Sequence, residues 1–375
     1  VKLEGASVNI GAASVGAINT VQIEALGAGE SSGNITLAPT ALVSSGDKVA
    51  LHAQGSILGN AHTDGLSTQI SAPKVFLGAR KSVYAHVDAA ELVAGDAPEN
   101  TTGTADTIDL VLTGTQPTTI RGVGNADGDI RISAPFATLV SVSGNIPADE
   151  GITEPEGGIV GKNVTMDVAG DLYVGRRIKA TDNAGSGVSL TAGDVIKIGH
   201  LDNYKDKVHV TSETDIHLTA QSIYIRHTAG NPTGLLEVTN PDSPTVMVKA
   251  GPTGTLYATA LSDETFEVNA TNTGGVSTQA GGGMSITSPT ILFVGGNGPN
   301  QFALATSPAN NFNGTVPVFT PGTGLNAFAQ SGAVRPVFAP LPSAGGGGGA
   351  AIPPAPPAPT PPPRPAPPPP APTPP

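Results

Sequence analysis

The chain reads as an all-β protein, a right-handed parallel β-helix followed by an irregular Phe-rich segment and a Pro-rich tail. Three observations predict the β-helix. Apolar and polar residues alternate with period two over runs of three to six residues. Gly, Asn, Asp and Pro separate the runs, as turn chemistry requires. The runs also recur as a unit, which is the signature of a solenoid. No stretch carries the 3.6-residue period of a helix, so helical solenoids are excluded, and a β-sandwich with irregular hairpins is the competing architecture.

Residues 1–294 form the predicted β-helix. Asn34-Ile35-Thr36-Leu37, Lys48-Val49-Ala50-Leu51 and Thr107-Ile108-Asp109-Leu110 are half-buried strands. A strand, a small-residue corner and a second strand recur in Ile70-Ser71-Ala72-Pro73-Lys74-Val75-Phe76-Leu77, in Ile132–Leu139 and in Ile286–Phe293, with looser copies at Leu190–Ile198 and Leu218–Ile225. Tight hairpins favour Asn-Gly or Asp-Gly. Ala-Pro and Ala-Gly corners instead bend the chain without reversing it, so a coil is favoured over a meander.

Spacing then predicts the stacking. Val164-x-Met166 and Leu172-x-Val174 lie 24 residues before Val188-x-Leu190 and Ile196-x-Ile198, which lie 20 residues before Val208-x-Val210 and Ile216-x-Leu218. Coils of roughly 22 residues give about 13 coils over residues 1–294, a stack near 60 Å long at about 4.8 Å per rung. Residues 94–106 and 145–161 break the pattern and read as extruded loops.

After Glu267 the next charged residues are Arg335 and Arg364. Residues 295–344 hold five of the nine Phe and a duplicated Pro-Val-Phe-x-Pro at 317–321 and 336–340, and read as a capping or adhesive segment. Residues 345–375 are a Gly hinge and tail, with 16 Pro among residues 353–375. That composition predicts an extended polyproline II spacer.

Composition excludes several functions. Of 375 residues none is Cys, which removes disulfides, Cys-ligated metals and a thiol nucleophile. A net charge of −12 disfavours nucleic acid and anionic lipid, which need clustered positive charge. No apolar run approaches the roughly 18 residues of a membrane span. Val1 opens directly into a strand-like pattern, and the chain reads as a mature form or an excised segment.

Motifs that carry chemistry elsewhere are weak here. Gly29-Glu30-Ser31-Ser32-Gly33 matches a nucleophile elbow, yet a strand follows it where the elbow needs a helix. Gly295–Phe302 resembles a calcium nonapeptide, but occurs once and has Asn300 in place of a carboxylate. Asp127 and Asp129 are the best carboxylate pair for a polysaccharide lyase or hydrolase, and sit in a turn. His209 and His217 fall on successive strands that face different sides, so neither a metal nor another cofactor is expected. Five Asn-x-Ser/Thr sequons, at Asn34, Asn100, Asn163, Asn269 and Asn313, are close to chance frequency.

The spacing places Tyr173, Lys197 and His217 in one outward column, each between two inward apolar residues. An aromatic ring, a cation and a hydrogen-bonding ring in line offer a grip on an anionic glycan. Outward strand positions also tolerate these residues for solvation.

The phrases Gly33–Leu37, Lys162–Val174 and Gly187–Val195 resemble filamentous-haemagglutinin-like exoproteins of Gram-negative bacteria. The resemblance covers residues 1–294 and lies in repeat texture. It implies an extracellular β-helix exported by two-partner secretion through an outer-membrane transporter. It further implies a distal segment lacking the secretion domain, a cell-surface location and a Pro-rich stretch associated with surface retention. The expected function is a secreted, surface-associated adhesin or structural exoprotein without catalysis, binding host or matrix glycans and proteins. A β-helical polysaccharide enzyme and a passive stalk are the alternatives.

Overall fold

The computed structural model describes residues 1–27, 32–61, 65–95, 107–125, 128–143, 158–201, 208–229, 246–251, 253–261, 265–269, 276–280, 284–294, 303–306, 311–314, 318–320 and 337–338. Val1–Ala339 make one compact unit. Among the described residues, 33 strands belong to a single sheet in which every pairing is parallel, and no helix occurs.

From Asp129–Ala134 to Thr290–Val294 each strand pairs with the strand three further along, as in Asp129–Ala134, Val164–Val168, Val188–Ala192 and Ile216–Ala220. The coil therefore has three faces. Face I runs from Val8–Ile10 through these strands to Leu256–Ala260, Met284–Ser288 and Asn311–Gly314. Face II includes Leu139–Val142, Asp171–Val174, Val195–Leu201, Ser222–Ala229, Thr265–Asn269 and Thr290–Val294. Face III includes Gly158–Gly161, Ile178–Ala180, Val208–Ser212 and Val246–Lys249. Nearer the N-terminus, Ile70–Ala79 and Val83–Gly95 run on around corners and pair on more than one face.

Period-two alternation places one apolar residue in two inside the coil. Val164, Met166, Val188, Leu190, Ile216 and Leu218 are all buried and stack as columns in one continuous core. Each such side chain removed from water contributes about 1.5–3 kcal/mol. In the first coil Leu3, Val8 and Val15 are only partly buried, having neighbours on one side.

The corner before face I has its own side-chain column. Asn34 Oδ1 accepts a 2.8 Å hydrogen bond from Ser56 N, Asn163 Oδ1 a 2.9 Å bond from Gly187 N, and Asp215 Oδ1 a 2.7 Å bond from Thr255 N. Ser82 Oγ accepts from Thr107 N in the same way at 3.2 Å. Short polar side chains thus satisfy donors that the bending chain cannot offer to a ladder. Gly187 holds φ +74°, and a Cβ there would lie 2.1 Å from Asp215 O, so this corner requires glycine.

Register and coil count differ from the expected spacing. The 24-residue step holds: Val164 faces Val188 and Leu172 faces Ile196. The 20-residue step does not, because Val188 faces Ile216 and Ile196 faces Ile223, whereas Val210 faces Ile178. All three faces carry the same apolar-x-apolar pattern, so periodicity cannot tell a strand from its neighbour on the next face. The step from Val188 to its partner Ile216 is 28 residues (216 minus 188), longer than the 24 from Val164 to Val188. Coils that carry 34 or 40 residues between equivalent corner positions reduce the count, and face I has eleven rungs up to Ser288 where an even spacing predicts about 13.

Pairing continues past Val294. Ala303–Thr306, Asn311–Gly314 and Val318–Thr320 join the three faces in turn. The duplicated Pro-Val-Phe motif pairs with itself, Val318 opposite Val337 and Phe319 opposite Phe338. Of the expected loops, Gly158–Gly161 is a strand. Residues 96–106, residues 144–157 and the Gly hinge and Pro-rich tail lie outside the described residues.

Candidate ligand-binding faces

Face II brings two of the expected site residues together. Tyr173 and Lys197 are register partners on adjacent rungs, pointing outward between inward Leu172 and Val174 and inward Ile196 and Ile198. Lys197 Nζ lies 4.5 Å from the Tyr173 ring centroid and donates a 2.9 Å hydrogen bond to its hydroxyl. That hydroxyl donates in turn to Asp171 Oδ2 at 3.1 Å. A cation over an aromatic face is held by the ring quadrupole as well as by the hydrogen bond.

The ladder continues upward through residues that the spacing missed. Lys197 faces Tyr224, and Tyr224 faces Glu267. The Arg226 guanidinium lies 4.7 Å from the Tyr224 ring centroid, and its Nη1 is 3.5 Å from Glu267 Oε1. Four successive rungs therefore present Tyr, Lys, Tyr and Glu, with Arg226 beside the third. Asp171 and Glu267 compensate Lys197 and Arg226, so the ladder carries no net charge. The two cations are engaged by acids or by rings whose hydroxyl leads to one.

His217 is not part of this column. It stands on face I, with Ser189 as its register partner on one side and Tyr257 on the other. The correction follows from the false 20-residue step, which matched Ile196-x-Ile198 on face II to Ile216-x-Leu218 on face I. Ser222-Ile223-Tyr224-Ile225 carries the right alternation and is the strand that belongs there.

On face I the His217 and Tyr257 rings stack, their centroids 4.6 Å apart and their planes 8° from parallel. His217 Nε2 is 4.0 Å from Asp215 Oδ2. Two residues along each strand, Thr191, Thr219, Thr259 and Thr287 make a second outward column in register. Alternating burial keeps both columns outside the core.

The remaining candidates separate. His209 pairs with Met247 on face III, away from His217 on face I. Asp129 Oδ1 accepts a 2.8 Å hydrogen bond from Asn163 Nδ2, which makes it a corner residue; Asp127 lies outside the described residues. Asn34 and Asn163, two of the five sequons, have side chains engaged in the corner column. Residues 29–31 and 295–302 lie outside the described residues. Among the described residues no group of three or more His, Asp or Glu converges as a metal site, and no helix is long and apolar enough to cross a membrane.

No known protein family, curated protein or solved structure matches the chain.

Proposed function

We propose that the chain is a segment of a secreted, surface-associated adhesin or structural exoprotein of a Gram-negative bacterium, coiled right-handedly and binding through its outward faces without catalysis. The observation that carries this reading is the face II ladder, an aromatic and charged strip repeated at successive rungs of a stiff scaffold. Parallel stacking holds these side chains about 4.8 Å apart, which suits many weak contacts with a repetitive glycan or protein surface. The repeat texture shared with filamentous-haemagglutinin-like exoproteins supports the same reading, and with it export by a two-partner-secretion transporter.

The internal pairing of the ladder favours one second reading, a passive stalk whose polar strip stabilises the coil and touches nothing. Adhesion assays separate the two. Labelled intact chain should bind cultured epithelial cells or immobilised matrix saturably, and a Tyr173→Ala, Lys197→Ala, Tyr224→Ala variant with unchanged circular dichroism should bind less. Absence of saturable binding by the intact chain would leave the stalk.

A further inference from the structure

The geometry points to face I as a platform for a linear neutral glycan, with the His217–Tyr257 stack as its anchor; this rests on the surface-binding reading above and names one face and one ligand class. The two rings lie parallel and one rung apart, so each turns its outer face along the column. The next positions are small: Ser189 beyond His217, and Ser285 beyond Tyr257. Each ring therefore overlooks a slot one rung high, about 4.8 Å, which is a stacking distance and accepts a flat ring.

On the His217 side the slot continues over Thr165 before the exposed Arg131 closes it, since Arg131, Thr165, Ser189 and His217 are successive register partners. The rings are accessible, Tyr257 being 38% exposed. A saccharide has an apolar face of C–H groups that stacks on such rings and a rim of hydroxyls that needs partners. Hydroxyls of Thr191, Thr219 and Thr259 lie two residues away along the same strands and both donate and accept.

Charge decides between ligand classes. The four strands Val188–Ala192, Ile216–Ala220, Leu256–Ala260 and Met284–Ser288 contain no Asp, Glu, Lys or Arg. Of the nearby acids, Asp215 already accepts from Thr255 N, and exposed Asp167, the register partner of Thr191, repels an anionic chain from the Thr column. On the Tyr257 side sulfated or uronic chains would find no cation between these rungs. On the His217 side Arg131 stands at the far end of the slot, two rungs beyond Ser189 and away from the ring stack, so a neutral chain suits the anchor itself.

The test titrates intact chain with β-glucan, mannan and galactan hexasaccharides, with a heparin hexasaccharide as the anionic probe, reading saturation-transfer NMR and tyrosine fluorescence. At least one neutral hexasaccharide should bind, and Tyr257→Ala should weaken it by about tenfold through the lost ring stack. Ser189→Tyr, which fills the slot and lengthens the stack, should block binding on the His217 side without lowering the melting temperature. Binding by both variants as tight as by the parent chain, tighter binding of the heparin hexasaccharide than of every neutral one, or failure of every neutral hexasaccharide overturns the platform. If cell or matrix binding persists in that case, only the face I site falls. If intact chain binds no cell, matrix or glycan, the surface-binding reading falls with it.

Discussion

Lys197 sits over Tyr173 one rung below it, its ammonium 4.5 Å from the ring centroid and 2.9 Å from the hydroxyl. The pair joins two coils through side chains alone, beside the backbone ladder that already links them. A double-mutant cycle with Tyr173→Leu and Lys197→Met, read by urea denaturation, should return a coupling of about 0.5–1 kcal/mol. A coupling of zero would mean that solvent competes the contact away.

Asn163 spans three coils, donating to Asp129 Oδ1 and accepting from Gly187 N. Asn163→Ala should cost roughly 1–3 kcal/mol by leaving the Gly187 donor without its side-chain acceptor. Gly187→Ala should cost at least as much, since a Cβ at φ +74° meets Asp215 O. Thermal melts of the two variants check the order.

The Arg121 guanidinium donates to Glu91 at 2.8 Å and holds its carboxyl below the ordinary range. A depressed folded-state value means that the carboxylate stabilises the fold above the unfolded value, about 4.3, and loses that contribution as pH falls through the folded value. Glu91→Gln should therefore be less stable than the parent at pH 7 by about 0.5–1 kcal/mol, the pair being partly exposed. The difference should shrink below pH 4. A gap that stays constant from pH 7 to pH 3 would contradict the ion pair.

With no Cys in the chain, engineered thiols report register cleanly. Pyrene-labelled Ser189→Cys, His217→Cys should show excimer emission, because these are register partners on adjacent rungs. Lys197→Cys, His217→Cys should show none, as its two positions lie on different faces. The reverse result would restore the 20-residue step.

The strands were legible in the sequence because burial on one side leaves a two-residue alternation, visible at Val188-x-Leu190 and Ile216-x-Leu218, and parallel coiling was legible in the recurring unit with Ala-Pro and Ala-Gly corners in place of hairpin turns. Which strand lay on which face was not, because inward positions on all three faces demand the same small set of β-branched and aliphatic residues. Tyr173 and Lys197 were placed together correctly because their coil has no long insertion. His217 was misplaced because Ile216-x-Leu218 on face I carries the same alternation as Ile223-x-Ile225, the true partner of Ile196-x-Ile198 on face II. Tyr224, Arg226, Glu267 and Tyr257 were missed for the same reason: a ladder is found only once its register is known. The Pro-Val-Phe duplication was visible as a repeat, but its meaning as two paired strands, Val318–Thr320 and Val337–Phe338, depends on backbone pairing that the motif does not encode.

Binding through the outward faces is tested most directly by the saturation curve of fluorescent intact chain on epithelial cells beside a Tyr173→Ala, Tyr224→Ala, Tyr257→Ala variant of equal melting temperature. Removing ring faces from both ladders should raise the concentration needed for half-saturation by about tenfold or more, because many weak contacts are lost together. Superimposable curves for the two proteins would contradict an adhesive role for these faces.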